Sequence, residues 1–375
     1  MVTKNVGLFK GGTFMLESSP KKDGFQLAPE WSFHKECYLI WPERPDNWRL
    51  GGKPAQKAYA EVAEVIARFE NVTMLVSHQQ FLNARYQLPE KIRVLEVSNN
   101  DAWIKDTGPL YVMNSLGEVR GVDFRFNAWG GLLDGLFFPW DQDDLLAQKI
   151  CEQERIEYYQ LQEFVLEGCS IHTDGEGTLF ATEECLLSEG RNPQLDKESI
   201  EKILKEYCGI EKIVWFPRGF FLDETNGDID NLINVVRPGE IILSWCEQTS
   251  DPMYEIVREA EEVLMKEKDA KGRSFIIHKI ELPKPLYITE EEAAGVDPVN
   301  GMLPRFSGDR LIASYVSYYT ANGGIIFPLF EDPNDKKAEA LLKKIYPEYE
   351  IIGVMAREIL LGGGNIHCVA QGVPQ

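Results

Sequence analysis

Apolar runs along the chain are interrupted by short turn signals that predict β-hairpins. Asp-Gly, Pro-Gly and Asn-Gly pairs between apolar runs favour tight turns, because glycine supplies the positive φ that these turns need. We predict four hairpins. The first pairs LYVM with VRGVDF around Gly117, and the second pairs a short strand with TLFAT around Asp174-Gly-Glu-Gly. The third pairs LINVV with EIILSW around Arg237-Pro-Gly, and the fourth pairs IASYVSYY with IIFPLF around Asn322-Gly-Gly.

Between these hairpins, apolar residues recur at the three- and four-residue spacing of amphipathic helices. We predict helices over about 55–69, from near Asp143, after a cap at Asp196, after Asp251-Pro252, and over about 337–346. Proline favours the first helical position, so Asp251 and Pro252 mark a helix start.

A loop, a hairpin and a helix recur about every 60 residues, with the loops at Asp106, Glu167 and Gly227 opening the first three units. Such a period predicts modules arranged around an axis, with their acidic and Gly-rich loops converging on one centre. The alternative is an ordinary α+β domain whose spacings agree by chance.

Composition and charge narrow the function classes. The 375 residues are 44% hydrophobic and 26% charged, which is typical of a folded protein. The net charge of −21 argues against a nucleic-acid partner and favours a cationic small molecule, although acidity also serves solubility. The seven cysteines include no CxxC pair, and no stretch is apolar enough to span a membrane. We therefore expect a cytoplasmic protein without a disulfide framework, a metal or a membrane partner.

Four loops carry the candidate chemistry: DAWIKDTGP (101–109), LEGCS (166–170), ETNGDIDN (224–231) and GGGNIHC (362–368). The carboxylates of Asp106, Glu167 and Asp230 suit the planar donor fork of a guanidinium, although turn and cap carboxylates are commoner than ligands. Only seven residues follow Cys368, so we predict that it is a nucleophile at the end of a strand. The alternative is a buried apolar thiol.

Six sequence motifs together resemble those of the agmatine deiminase family, and the resemblance runs from about residue 20 to the C-terminus. The motifs are WPERPDNW (41–48), DAWIKDTGP, FNAWGG (126–131), EGRNPQL (189–195), ETNGDIDN and GGGNIHC. The resemblance implies one domain over 1–375, with residues 1–20 as an N-terminal extension. The implied fold is an α/β propeller of five ββαβ modules with pseudo-fivefold symmetry. The first strand and helix would close the ring with the C-terminal segment.

The resemblance also implies a reaction. The thiolate of Cys368 would attack the guanidinium carbon of agmatine, ammonia would leave, and water would release N-carbamoylputrescine, without a metal or organic cofactor. Asp106 and Asp230 would hold the guanidine nitrogens, Glu167 would hold them and move protons, and Trp103 and Glu224 would border the site. The family resemblance further suggests a homo-oligomer, either a dimer or a tetramer.

Three positions depart from the family pattern. Asp228 stands where the resemblance calls for a catalytic histidine, Cys169 stands where it calls for glycine, and Lys105 replaces an arginine. A carboxylate at Asp228 would raise the pKa of a nearby thiol instead of lowering it. We expect Cys169, two residues after Glu167 in an extended segment, to project into the same space as Glu167. We also expect His367 to point away from Cys368, because neighbours in a strand face opposite sides.

The sequence therefore predicts an agmatine deiminase whose activity is weak. The alternative is a catalytically impaired paralogue that binds agmatine or assembles with an active relative. An arginine or peptidyl-arginine deiminase would need an additional basic anchor, for which the sequence has no motif.

Overall fold

The computed structural model describes residues 14–298 and 304–375. Most of the predicted extension over 1–20 lies outside the described residues. The strands are β1 (Met15–Leu16), β2 (Gln26–Leu27), β3 (His34–Ile40), β4 (Asn71–Val76), β5 (Arg93–Glu96), β6 (Leu110–Met113), β7 (Val119–Arg125), β8 (Tyr158–Val165), β9 (Ile171–Thr173), β10 (Thr178–Thr182), β11 (Lys212–Phe216), β12 (Ile233–Arg237), β13 (Glu240–Trp245), β14 (Ile276–Glu281), β15 (Tyr319–Ala321), β16 (Gly324–Leu329), β17 (Glu350–Met355) and β18 (Gln371–Pro374).

The helices are α1 (Pro20–Asp23), α2 (Lys53–Ile66), α3 (Phe81–Gln87), α4 (Ile104–Thr107), α5 (Gly131–Asp134), α6 (Leu146–Glu154), α7 (Glu183–Leu186), α8 (Lys197–Tyr207), α9 (Met253–Lys266), α10 (Glu290–Ala294), α11 (Asn334–Ile345) and α12 (Arg357–Leu360). Four 3-10 turns cover Arg49–Gly52, Gly168–Ser170, Ile229–Asn231 and His367–Val369.

The strands of the described residues form five sheets that share one local plan. In each, two strands pair antiparallel, a helix follows, and a third strand lies parallel to the second. The plan is repeated by β6, β7, α6 and β8; by β9, β10, α8 and β11; by β12, β13, α9 and β14; and by β15, β16, α11 and β17. The fold is therefore mixed α/β. The closed ring with pseudo-fivefold symmetry stays a prediction.

The fifth sheet joins the two ends of the chain. Strand β18 pairs antiparallel with β3, in a register that places Gln371 opposite Tyr38 and Val373 opposite Glu36. The parallel strand β4 follows α2, and β5 extends the sheet. Residues 37–40 of β3 are all buried, as expected for a strand covered on both faces. The loop that precedes β18 is thereby held beside β3.

Two predicted elements are displaced. Helix α9 begins at Met253, one residue after Pro252, and the Asp251 carboxylate accepts a hydrogen bond from the Met253 N–H at 2.9 Å. Of the run IASYVSYY (312–319), only Tyr319 is in a strand, because β15 covers Tyr319–Ala321. Its earlier part leaves the ladder because Ser314 and Ser317 bond to the loop that contains Asp230.

The hydrophobic core is continuous around α2 and the strands of the fifth sheet, with two further clusters beneath α8 and α9. Within the described residues, we find no helix whose length and apolar character would let it cross a bilayer.

Candidate active site

Four short turns bring distant parts of the chain together. Helix α4 precedes β6, and the 3-10 turns at Gly168–Ser170, Ile229–Asn231 and His367–Val369 precede β9, β12 and β18. The Gly168–Ser170 turn packs against the other three, and α4 also packs against the His367–Val369 turn. Because each turn leads into a strand of an antiparallel pair, the repeated local plan places their side chains around one point.

A cleft of about 410 Å³, part of it open to solvent, lies over these turns. It is lined by Asn47, Asp101, Trp103, Asp106, Trp129, Leu136, Phe137, Asp223, Glu224, Thr225, Asp228, Asp230, Asn231, Arg305, Gly362, Gly363, Gly364 and Cys368. The structure thus brings together every site residue predicted from the sequence except Glu167.

Cys368 lies in a 3-10 turn and not at the end of a strand, so that prediction was wrong. Only 6% of the residue is exposed, its sulfur accepts the Asn365 N–H at 3.2 Å, and its thiol donates to Oδ2 of Asp230 at 3.4 Å. A hydrogen bond from Cys169 lowers the pKa of Cys368, but burial and the carboxylates of Asp230 and Asp106 outweigh it and raise that pKa to about 12. The free thiol is therefore protonated at neutral pH.

His367 does not point away from the site, contrary to the expectation for a strand. In the tight turn its Nδ1 lies 3.0 Å from Oδ2 of Asp230, the same oxygen that Cys368 approaches. Its Nε2 lies 2.7 Å from the Glu30 carboxylate. Burial opposes a charge on the imidazole, but Glu30 and Asp230 overcome this and raise the pKa of His367 to about 9. An imidazolium there offsets part of the negative charge around Cys368.

Asp106 is held rigidly. Its Oδ1 accepts the backbone N–H of Cys169 at 2.8 Å, and its Oδ2 accepts the indole N–H of Trp129 at 3.1 Å. Burial is the largest cause that raises the pKa of Asp106 to about 6, and the neighbouring carboxylates of Glu167 and Asp230 add to it. A cationic ligand would favour the ionised form.

Asp228 faces a polar chain instead of a cation. Its Oδ1 lies 3.1 Å from the Ser170 hydroxyl and 3.0 Å from the Cys185 thiol. The same Ser170 hydroxyl lies 2.9 Å from Oε2 of Glu167. Burial, together with the Asp223 carboxyl, raises the pKa of Asp228 well above its usual value. The Ser170 hydroxyl thus lies between the carboxyl groups of Glu167 and Asp228 and can donate to either of them.

Glu167 lies behind the cleft and not in it. Its Oε1 accepts a hydrogen bond from Nε of Arg191 at 3.0 Å, and neither side chain is exposed. Burial opposes the charge on Arg191, but Glu167 more than compensates and raises the pKa of the guanidinium. A direct contact between Glu167 and a ligand would require this pair to separate. Arg191 was not recognised from the sequence as a site residue, although it lies in the EGRNPQL string.

Trp103 forms one wall of the cleft. Its ring stacks on Trp48 at 5.1 Å between centroids and meets Trp129 edge-on at 6.3 Å. Its indole N–H donates to Asp101 at 2.9 Å. The backbone at Gly364 passes so close that a Cβ there would lie 2.4 Å from the Trp103 ring. The ring is therefore fixed from three sides.

Glu224 is paired with a cation that sequence reasoning missed. Nε of Arg305 lies 3.1 and 3.2 Å from the two Glu224 oxygens, and its Nη2 donates to the carbonyl of Gly362 at 2.9 Å. Arg305 follows no recognisable motif, and only folding brings it to Glu224. The pair leaves no free basic anchor among the residues that line the cleft.

Cys169 does not share the space of Glu167. In the Gly168–Ser170 turn its sulfur lies 3.8 Å from Nδ1 of His367. The turn, and not an extended segment, redirects the side chain.

Lys105 points to the opposite side, where its ammonium binds Glu30. The Glu30 carboxylate also lies 3.8 Å from Nδ1 of His172. Burial lowers the pKa of His172 to about 4. Glu30 and His172 carried no signal in the sequence analysis.

A family model described as Porphyromonas-type peptidyl-arginine deiminase matches residues 26–374. A Listeria monocytogenes serotype 4b relative, provisionally named agmatine deiminase 1, is 61% identical over 360 residues, which are 96% of this chain and 99% of the relative. The Pseudomonas aeruginosa agmatine deiminase is 52% identical over 358 residues, 95% of this chain and 97% of the relative. The solved agmatine deiminase of Enterococcus faecalis has a TM-score of 0.94 and 48% identity, and the match covers 97% of this chain and 100% of that one. The chain therefore belongs to the agmatine deiminase family.

Proposed function

We propose that the chain is an agmatine deiminase that hydrolyses agmatine to N-carbamoylputrescine and ammonia. The observation that carries the proposal is that the thiol of Cys368 and the carboxyl groups of Asp106, Asp228 and Asp230 line one cleft. The relatives at 52% to 61% identity carry the same activity in their names.

The cleft suits a flat cation. Carboxylates bind the planar donors of a guanidinium through paired, charge-assisted hydrogen bonds, and Asp106 and Asp230 are placed for this. The indole face of Trp103 is a favourable neighbour for a delocalised cation. A bound guanidinium would also lower the pKa of Cys368, because it favours the thiolate.

The proposed reaction proceeds in two halves. The sulfur of Cys368 forms a bond to the guanidinium carbon, its proton passes to Asp230 at 3.4 Å, and the carbon–nitrogen bond to ammonia breaks after that nitrogen gains a proton. Asp228, which Ser170 links to Glu167, supplies the proton of the leaving nitrogen, and the proton that Asp230 took from the sulfur leaves with the ammonia as ammonium. Water then adds to the carbon and gives one proton to Asp228, the carbon–sulfur bond breaks, and the second proton of the water regenerates the thiol.

We propose that turnover is slow. A histidine beside the thiol would lower the pKa of that thiol and work as both acid and base, whereas the carboxyl of Asp228 does not stabilise a thiolate. The pKa of about 12 for Cys368 leaves little thiolate before the substrate binds.

The test is release of ammonia and N-carbamoylputrescine from agmatine by the purified protein, with Cys368→Ala as the control. A rate no higher than that of the control would reject the proposed deiminase activity. Agmatine binding without turnover would support the alternative, an impaired paralogue that binds agmatine or partners an active relative. Arginine is expected to be a poor substrate, because Arg305 is already paired with Glu224.

Four broader features belong to the same proposal. The five sheets would close into a propeller of ββαβ modules with pseudo-fivefold symmetry, and residues 1–375 would form one domain. The pairing of β18 with β3 supports this closure. The chain would act in the cytoplasm as a homo-oligomer. Light scattering that finds only monomers would contradict the last point.

A further inference from the structure

The imidazole of His367 connects two separate cavities. Its Nδ1 lies 3.0 Å from Oδ2 of Asp230, which lines the catalytic cleft, and its Nε2 lies 2.7 Å from Oε1 of Glu30. Glu30 lines a second cavity of about 580 Å³, part of it open to solvent, which shares none of its lining residues with the cleft. We propose that Glu30 is a positioning residue that acts on Cys368 from this second cavity, by holding His367 as a cation against Asp230.

The link between His367 and Cys368 is a single oxygen atom. Oδ2 of Asp230 lies 3.0 Å from Nδ1 of His367 and 3.4 Å from the sulfur of Cys368. Besides burial, the charge of Asp230 raises the pKa of that thiol. An imidazolium that donates to the same oxygen offsets part of this charge, whereas a neutral imidazole does not. The reactivity of Cys368 therefore depends on the charge of His367.

Glu30 is the group that most favours a charge on His367. The titratable groups that face the imidazole are Glu30, Asp230, Lys105, His172 and Cys169. Burial and the ammonium of Lys105 lower the pKa of His367, and the Glu30 carboxylate is the largest cause that raises it. His172 is neutral at neutral pH, because burial lowers its pKa to about 4. Burial raises the pKa of Cys169 well above its usual value, so this thiol carries no charge either.

The place of Glu30 allows its effect on Cys368 to be separated from substrate contact. The side chain of Glu30 is 24% exposed, whereas that of His367 is 1% exposed. Because Glu30 does not line the cleft, its replacement removes no direct contact with a ligand of the cleft. Glu30→Gln keeps the size of the side chain, and its amide oxygen can still accept from Nε2 of His367. The variant therefore removes the charge and retains the hydrogen bond.

The experiment measures alkylation of Cys368 by iodoacetamide in the full chain as a function of pH, with mass spectrometry of the peptide that contains Cys368. We expect Glu30→Gln to react about tenfold more slowly near pH 8, because its imidazole is neutral there while the wild type keeps the imidazolium up to a pKa of about 9. The deficit should disappear above about pH 10, where His367 is neutral in both proteins. The matched control is Glu36→Gln, a buried glutamate that binds Thr73 and lines neither cavity, and it should keep wild-type rates.

A second measurement separates charge from local shape. Histidine NMR gives the pKa of His367, with the signal assigned by its loss in His367→Gln. Glu30→Gln should lower this pKa, whereas Lys105→Met should raise it, because the ammonium opposes the imidazolium. A lower pKa in both variants would mean that the pair of Lys105 and Glu30 only maintains the local structure. If Glu30→Gln unfolds, the wild type and Lys105→Met decide, and a wild-type pKa below about 7 would reject the proposal.

Three results of the alkylation experiment would overturn the proposal: equal rates in Glu30→Gln and the wild type near pH 8, a deficit that persists above pH 10, or the same deficit in Glu36→Gln. The consequence for turnover rests on the proposed function, and there kcat should fall in Glu30→Gln while KM for agmatine stays unchanged. Alkylation requires no agmatine. A wild type that releases no ammonia but shows the alkylation deficit would therefore reject the deiminase and support the role of Glu30.

Discussion

The carboxyl of Asp228 lies 3.1 Å from the hydroxyl of Ser170, and both residues are buried. Ser170 also reaches Glu167, so three polar groups form one hydrogen-bonded chain behind the cleft. Burial and the Asp223 carboxyl raise the pKa of Asp228, which favours its protonated form in this chain. The protein interior thus accommodates the carboxyl at position 228, where the family resemblance calls for histidine.

Asp228→His is expected to increase turnover of agmatine at neutral pH by about 10²- to 10⁴-fold. An imidazolium would stabilise the thiolate of Cys368 and exchange protons with the leaving ammonia. Steady-state kinetics across pH 6 to 10 measure this, and the pH at half-maximal rate should fall.

The control for that variant is Asp228→Asn, which keeps the size and hydrogen bonding of the neutral acid but removes the titration. It should not gain activity. If Asp228→His stays inactive both alone and combined with Cys169→Gly, the loss of the histidine does not explain a slow enzyme.

Arg191→Met is expected to destabilise the protein by roughly 3–5 kcal/mol, because Glu167 would be left as an uncompensated buried charge. Urea unfolding measures the free energy of unfolding. Adding Glu167→Gln should recover part of the loss. The exposed pair of Arg218 and Glu259 is the matched control, and Arg218→Met should cost less than about 1 kcal/mol. Similar losses for both arginines would contradict the importance of the buried pair.

Arg305→Gln is expected to lower the KM for agmatine by about fivefold. The substitution removes a cation from the cleft and frees the Glu224 carboxylate to attract a positively charged substrate. The comparison variant is Arg68→Gln, which breaks an exposed ion pair with Glu350 and should leave KM unchanged. A rise in KM for Arg305→Gln would mean that this arginine positions Glu224 for the substrate.

Stability is expected to fall as pH rises from 6.5 to 9, measured as Tm in chelator-containing buffer. The pKa of His367 is about 9 in the folded protein and has its usual value of 6.5 in the unfolded chain, so between these values the folded chain holds a proton that the unfolded chain loses. This contribution is fully present below pH 6.5 and is lost as pH passes 9. It should amount to about 1 kcal/mol or more. Burial also raises the pKa of Asp223 to about 7, which acts in the same direction.

His367→Gln should flatten this pH dependence, whereas His78→Gln should retain it. His78 is exposed and pairs only with an exposed carboxylate. An equally steep fall in His367→Gln would assign the proton to another group.

The sequence by itself determined the local plan and the family. Turn pairs and amphipathic spacing depend on neighbouring residues, so the hairpins around Gly117 and Gly239 and the helix after Asp196 could be predicted without tertiary contacts. The motif strings likewise identified Asp106, Asp228, Asp230 and Cys368, which the structure brings to one cleft.

Tertiary structure alone decided where the side chains of the loops point. In a 3-10 turn, neighbouring residues do not alternate between faces as in a strand, so His367 and Cys368 both reach Asp230 and Cys169 turns away from Glu167. The partners Arg191, Arg305 and Glu30 are far from their carboxylates or imidazole in sequence. Their ion pairs arise only when the fold removes water from both charges, which local sequence patterns do not encode.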